Sequence, residues 1–346
     1  MENRKNFGKI LSGSEAFLYT LKAGNIQLDV TDFGASWVNL CFKGTDILLG
    51  YDSVGQYESS KNYFGAVVGR VGNRIGNSSF SLNGKTYNLE SNEGTNSLHG
   101  GIHGYDKRIW KTNGVSDDGR KITFSLNSPS GDQGYPGNLD LSVTYEVTEN
   151  NEILTTYKAK SDEDTLCNPT NHSYFNLNGS NGANIENHIL KIDADKYLEV
   201  DEKLLPIGTP SNVEGTPFDF RAGKEIGKDI RADNKQIKLG GGYDHNYVLN
   251  GNGDINFDIV EVVSPVTGIC MKMSTTMPGI QFYAGNMLDD QTGKNGEIYT
   301  KRSGLALETQ FFPDSIHHSE YPSAVLRQDE EKKYLTRYTF SNLSVK

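Results

Sequence analysis

Two short stretches carry groups suited to moving protons. "NPTNHSYFNL", Asn168 to Leu177, sets His172 between an asparagine and a serine in an otherwise strand-like run. Tyr174, Phe175 and Leu177 suit a sheet face, whereas Asn171, His172 and Asn176 bring polar groups that an interior must satisfy. In "LALETQFF", Leu305 and Leu307 alternate with Ala306, Glu308 and Gln310, so Glu308 falls mid-strand between apolar neighbours. An ionised carboxylate there is costly unless paired or functional. Two readings stand equally: a structural ion pair, or a catalytic base whose pKa its surroundings tune.

Other stretches hold more polar chemistry than strands and turns need. "GRVGNRIGN" places Arg70 and Arg74 among glycines. It reads either as a flexible basic loop or as a guanidinium fork held near a ligand that the backbone approaches closely. "NSLHGGIHG" holds His99 and His103, whose four-residue spacing suits metal ligation only on a helix. The glycines argue against a helix, which favours a loop histidine, either donating to a ligand or solvated. "GGGYDHNYVL" offers Asp244 as an acidic turn residue or as an acceptor for ligand hydroxyls, without the spacing of a dinucleotide loop. "GIQFYAGN" puts Gln281 and Tyr283 on one strand face and Ile280 and Phe282 on the other. "PDSIHHSEYPS" carries His317, His318 and Glu320 and reads as an exposed loop; core or surface roles suit His188 and His245.

The elements that must position these groups are strands. "IQLDV" puts Ile26, Leu28 and Val30 on one face, and "ICMKMST" does the same with Ile269, Met271 and Met273. Asn83-Gly84 in "SLNGKTYNL" signals a two-residue hairpin with positive φ. The 38 glycines, spread over the whole chain, fit many tight turns. "KDIRADNKQIKL" is at best a short helix. With neither a linker nor a fixed-period repeat, residues 1–346 read as a single large antiparallel all-β domain, a sandwich or barrel with binding loops over one face.

Bulk properties narrow the partners. A formal net charge of −10 disfavours nucleic-acid and anionic-membrane surfaces, which need clustered Lys and Arg. Cys41, Cys167 and Cys270 lie far apart and form no C-x-x-C pair, so neither a disulfide framework nor a thiolate zinc site is indicated. The N-terminal stretch lacks the apolar core of a signal peptide, no run matches a transmembrane helix, and a cytoplasmic location is expected. Absence of a phosphate loop, a nucleophile elbow and an H-E-x-x-H helix removes most nucleotide hydrolases, elbow-type serine hydrolases and zincins. The remaining palette of His, Arg, Asp, Gln, Glu and aromatic residues suits carbohydrate.

Taken in chain order, "GRVGNRI", "NSLHGG", "GYPG", "NPTNHSYFNL", "GYDHN", "QFYAGN" and "GLALETQFFPDS" resemble the signature segments of the aldose 1-epimerases, the galactose mutarotase family. Each motif is weak alone; together, in order, from about residue 30 to the C-terminus, they form a specific match without departure at the matched positions. The resemblance implies a β-supersandwich and interconversion of the α and β anomers of free hexoses such as galactose and glucose. It implies His172 as general acid and Glu308 as general base. Asn73, Arg74, His99, Tyr174, Asp244 and Gln281 match the sugar-binding positions. No metal or organic cofactor is expected, and the protein is expected to be a monomer or homodimer.

The chemistry needs such a pair, because opening a cyclic hemiacetal requires a base at the C1 hydroxyl and an acid at the ring oxygen. Each positioned proton transfer is worth roughly 10²–10⁴ in rate. Competing readings are a glycosidase with Asp244 as second carboxylate, a hexose-6-phosphate epimerase using Arg70, and a non-catalytic sugar-binding module. The joint presence of His172 and Glu308 disfavours the last.

Overall fold

The computed structural model describes residues 4–180 and 184–343. Alternating strands with one apolar face must stack that face on another sheet, and three antiparallel sheets do so here. The first is a five-stranded meander built from Arg4–Lys9, Glu15–Ala23, Ile26–Thr31, Trp37–Phe42 and Thr45–Asp46. Ile26, Leu28 and Val30 are buried in it, as their spacing predicts.

A nine-stranded sheet forms the broad back of the molecule. Its long strands Leu139–Val147 and Glu152–Ser161 alternate buried and accessible residues along their length, and Glu331–Asn342 closes the chain into its middle. Ile269, Met271 and Met273 are buried within it. The third sheet has six strands, in the order Tyr174–Phe175, Leu305–Gln310, Gly279–Tyr283, Asp244–Val248, Lys196–Tyr197 and Ser211–Asn212. The architecture is the all-β supersandwich that the alternation and the resemblance imply.

Trp37 marks where the three sheets meet. Its ring lies 5.7 Å from Tyr145 and 5.2 Å from Tyr338 of the nine-stranded sheet, and 6.4 Å from Phe175 of the six-stranded one. All four rings are buried, and the contacts are edge-on, the arrangement ring quadrupoles favour. One apolar cluster runs through this junction, drawing on residues from Tyr19 to Phe340.

Local signals turn out as read, with one addition. Asn83 and Gly84 take φ of 53° and 77° between Ser79–Leu82 and Lys85–Asn88, the hairpin expected. The short helix is Lys235–Gly240, capped by the Asn234 side chain accepting from the Gln236 and Ile237 amides. A second helix, Val54–Ser59, had no sequence signal. Among the described residues no helix is long and apolar enough to cross a membrane, and all three cysteines are free.

Arg70 corrects both readings of its loop, since it is neither solvated nor aimed at a ligand. Its buried guanidinium donates to the carbonyls of Pro136, Gly137 and Ser128 and to the hydroxyls of Thr165 and Ser128. This side chain thereby ties the loops around Ser128, Pro136 and Thr165 together. Arg70→Ala strands several buried acceptors, and should cost on the order of 3 kcal/mol or more in urea unfolding. A loss under about 1 kcal/mol would show the carbonyls had found other donors.

Candidate active site

The six-stranded sheet sorts its residues by the pleat. Phe175, Leu305, Leu307, Ile280, Phe282 and Tyr247 point into the core cluster. The opposite face carries Tyr174, Ala306, Glu308, Gln310, Gln281, Tyr283, Asp244 and Asn246, and pairing sets them in rows. Tyr174 pairs with Ala306, Ala306 with Tyr283, and Tyr283 with Asp244. One step along the same face, Glu308 pairs with Gln281 and Gln281 with Asn246. Extending the Tyr174–Ala306 register by one step brings His172 opposite Glu308, and the His172 Nε2 to Glu308 Oε1 distance is 3.6 Å.

His172 is held from every side. Its amide donates to the Ala66 carbonyl, and its carbonyl accepts from the Gly65 amide, at 2.9 and 3.0 Å. Its ring stacks on Tyr174 at 5.0 Å and meets His99 edge-on at 5.1 Å. Asn171, its neighbour, is buried; its side chain donates to the Gly65 carbonyl and accepts from the Ser173 amide, so it fastens the backbone on both sides of His172.

Two further segments, paired through Arg74–Ile75 and Ser97–Leu98, deliver Asn73, Arg74 and His99. Asn73 and His99 both adopt left-handed backbone, φ 61° and 51°, and lock together: the His99 amide donates to the Asn73 carbonyl, and the Asn73 amide donates to His99 Nδ1. A backbone amide can only donate, so Nδ1 is unprotonated and the neutral ring carries its proton on Nε2. Arg74 is buried, and its Nε and Nη2 grip both Glu93 oxygens at 2.6 Å, leaving Nη1 for a ligand. The Asp244 carboxyl accepts from Gln281 Nε2 at 2.7 Å.

Burial sets the protonation states. Loss of solvent pushes the Glu308 carboxyl up to about 8, the charge of Asp244 adds to this, and Arg74 opposes it. Burial likewise lowers His172 to about 4 and His99 well below its ordinary value, and raises Asp244. At 3.6 Å the charged forms of His172 and Glu308 would attract one another. Three buried polar atoms here, Glu308 Oε2, Gln281 Oε1 and His172 Nδ1, have no hydrogen-bond partner. Each such group costs about 1–3 kcal/mol, so a ligand bringing hydroxyls recovers what the free site forgoes.

His99, His172 and Glu308 lie close enough to be tried as a metal site, with ligating atoms all within 4.8 Å. The His99 tautomer argues against it. Nδ1 is engaged by the Asn73 amide and Nε2 holds the proton, so neither lone pair is free.

The residues matched to the acid, base and sugar-binding positions lie together here: His172, Glu308, Asn73, Arg74, His99, Tyr174, Asp244 and Gln281. His103 does not join them and is exposed. His188 accepts from the Leu177 amide in the core; His245 lies on the core side of Asp244, bonded to Gln236. His317 pairs with Asp314 at 2.7 Å in the single turn Ser315–His317, half exposed. Tyr283 lies on the Gln281 face as alternation predicts; residues not foreseen are Asn246, which alternation would have placed, and Glu93 and Tyr63, which no local pattern marks.

Fold and site define a β-supersandwich protein with a buried carboxyl–imidazole pair beside unpartnered polar groups. Comparison with known proteins gives the family: residues 18–339 match the aldose 1-epimerase model. A galactose mutarotase from Homo sapiens is 39% identical over 345 residues, covering 98% of both chains. An aldose 1-epimerase from Escherichia coli (strain K12) is 42% identical over 297 residues, 85% of each. Among solved structures, a galactose 1-epimerase from Lactobacillus acidophilus NCFM superposes with a TM-score of 0.87 at 29% identity, covering 98% of each chain. The chain belongs to the aldose 1-epimerase family.

The His99 geometry makes a spectroscopic prediction. In ¹⁵N NMR, Nδ1 should show the shift of a bare ring nitrogen and Nε2 that of a protonated one, unchanged from about pH 8 to about pH 5. Titration within that window would mean that the Asn73 contact does not hold the tautomer.

Proposed function

We propose that the protein interconverts the α and β anomers of free hexoses such as galactose and glucose, with Glu308 and His172 as the proton-transferring pair. The observation that carries the roles is their juxtaposition: a carboxyl and an imidazole 3.6 Å apart, buried together, beside unpartnered polar atoms. Family membership supports the reaction.

Glu308 accepts the C1 hydroxyl proton while His172 delivers a proton to the ring oxygen. The C1–ring oxygen bond breaks, leaving the open-chain aldehyde. Rotation about C1–C2 presents the other carbonyl face, and reclosure returns each proton with the two groups exchanging roles. The whole cycle needs one proton held within the pair. Passing it between Glu308 and His172 leaves the charge of the site unchanged, so burial does not forbid the reactive arrangement.

Around the pair, His99 Nε2–H and Arg74 Nη1 are donors suited to sugar oxygens, and Asp244 and Gln281 are acceptors for hydroxyls. Asn73 fixes His99, and Tyr174 supports the His172 ring. Arg70, engaged by carbonyls, is not available to a phosphate, which leaves a phosphosugar substrate without its main support. The proposal extends to one catalytic domain spanning the chain, acting as a monomer or homodimer in the cytoplasm without nucleic-acid, membrane, metal or organic-cofactor partners. The acidic net charge and three free cysteines support this.

Polarimetry of freshly dissolved α-D-galactose tests the reading. The wild type should speed the decay, whereas Glu308→Gln and His172→Asn should each lose roughly 10²–10⁴ of kcat with the fold retained. Variants within a few-fold of wild type would remove the pair from the chemistry.

The pH profile follows from the titrations. Below about 4 both groups are protonated and no base remains; above about 8 both have lost their protons and no acid remains. After subtraction of the spontaneous rate, kcat/KM should be bell-shaped between those limbs. A profile flat from about pH 4 to about 10 would contradict the assignment.

A further inference from the structure

Tyr63 is placed against the proton-transferring pair in a way its local backbone does not favour. Its φ is +56°, a left-handed conformation that bulky side chains rarely accept, and its ring is only partly buried. The ring centroid lies 4.7 Å from that of His99 and 5.7 Å from that of His172, tilted 57° and 31°.

The strained residue begins a turn bolted to the peptide groups of His172. The Ala66 amide closes the turn on the Tyr63 carbonyl. The Gly65 amide donates to the His172 carbonyl, and the Ala66 carbonyl accepts from the His172 amide. The Gly65 carbonyl, in turn, takes both the Trp37 amide and the Asn171 side chain. Gly65 is itself left-handed at φ +65°, and a Cβ there would come within 1.9 Å of the Trp37 carbonyl oxygen. The turn is therefore fixed to one conformation, and Tyr63 is forced outward over the imidazoles. Strain that surrounding contacts over-determine, next to reacting groups, is what a positioning role leaves in a backbone.

We propose that Tyr63 is a positioning residue for the acid–base pair, its ring capping the imidazoles of His99 and His172 so that water is kept from His172 and its ring plane is held toward Glu308. The inference rests on the epimerase reading above. The other face of the phenol ring is turned away from the imidazoles, where the partly buried side chain can bound the space a sugar enters. Its hydroxyl end lies within the field of Asp106, Glu93 and Arg74. The groups facing His172 are Glu308 from the central strand, His99 from its loop, Tyr174 beneath, and Tyr63; Asp244 and Arg74 act on it through Glu308.

The test compares Tyr63→Gly, which relieves the backbone, with Tyr63→Phe, which keeps the ring. Tyr63→Gly should unfold within about 3 °C of wild type. It should still lose roughly 10–100-fold in kcat/KM, and the acid limb of its profile should rise toward the free imidazole value as water reaches His172. Tyr63→Phe should stay within about threefold of wild type with the acid limb unmoved. Independently of turnover, the NMR titration midpoint of His172 should rise in Tyr63→Gly. Wild-type kcat/KM and an unshifted His172 in that variant would overturn the proposal, as would a Phe variant as impaired as the Gly variant. A wild type that fails to accelerate mutarotation would refute the epimerase reading, and the His172 titration would still decide the capping role.

Discussion

Everything around the site follows from keeping a carboxyl group out of water. Glu308 is almost completely buried mid-strand, with His172 as its nearest ionisable neighbour. A buried ionised carboxylate is costly, and a neutral one is inert as a base, so the surroundings must hold both forms within reach. The strand supplies rigidity, because Glu308 and Gln281 are paired across the sheet and cannot drift. The register supplies His172. Loops supply groups that need no deprotonation to act, a neutral His99 donor and an arginine neutralised by Glu93. On the proposed reading, passing one proton within the pair leaves the net charge of this buried site unchanged.

The sheet faces were legible because a strand's period is two. Counting from Leu305 puts Glu308 opposite the core, and counting from Ile280 does the same for Gln281. Asn83-Gly84 was legible because few dipeptides accept two positive φ angles. The segments around His172 and Asp244 were recognisable as motifs. What sequence could not convey is which strand lies beside which, since the order of the six-stranded sheet brings together residues 174, 305, 279 and 244 from distant parts of the chain.

The same limit explains the misreading of Arg70. An arginine among glycines looks mobile, and its acceptors are carbonyls at 128, 136 and 137 that announce nothing in the sequence. Arg70 and Arg74 sit four residues apart yet serve different neighbours, one buried among peptide oxygens and the other braced by Glu93. Tyr63 and Glu93 escaped for a related reason: their positions are decided by turns fastened to other segments, through bonds to peptide groups rather than side-chain pattern.

The junction at Trp37 bears on how the molecule comes to exist. Its aromatic partners arrive at Tyr145, Phe175 and Tyr338, so the contact is complete only when the last long strand is in place. Loops of that length close slowly, and a topology dominated by such pairings folds on the slow side of the range for single units. The Trp37 amide also donates to the Gly65 carbonyl, the same oxygen that anchors Asn171 beside His172. Packing of one indole is thus tied to assembly of the site. With Trp110 the only other indole in the chain, emission from Trp37 gives an optical clock for the moment at which a refolding molecule acquires its active arrangement.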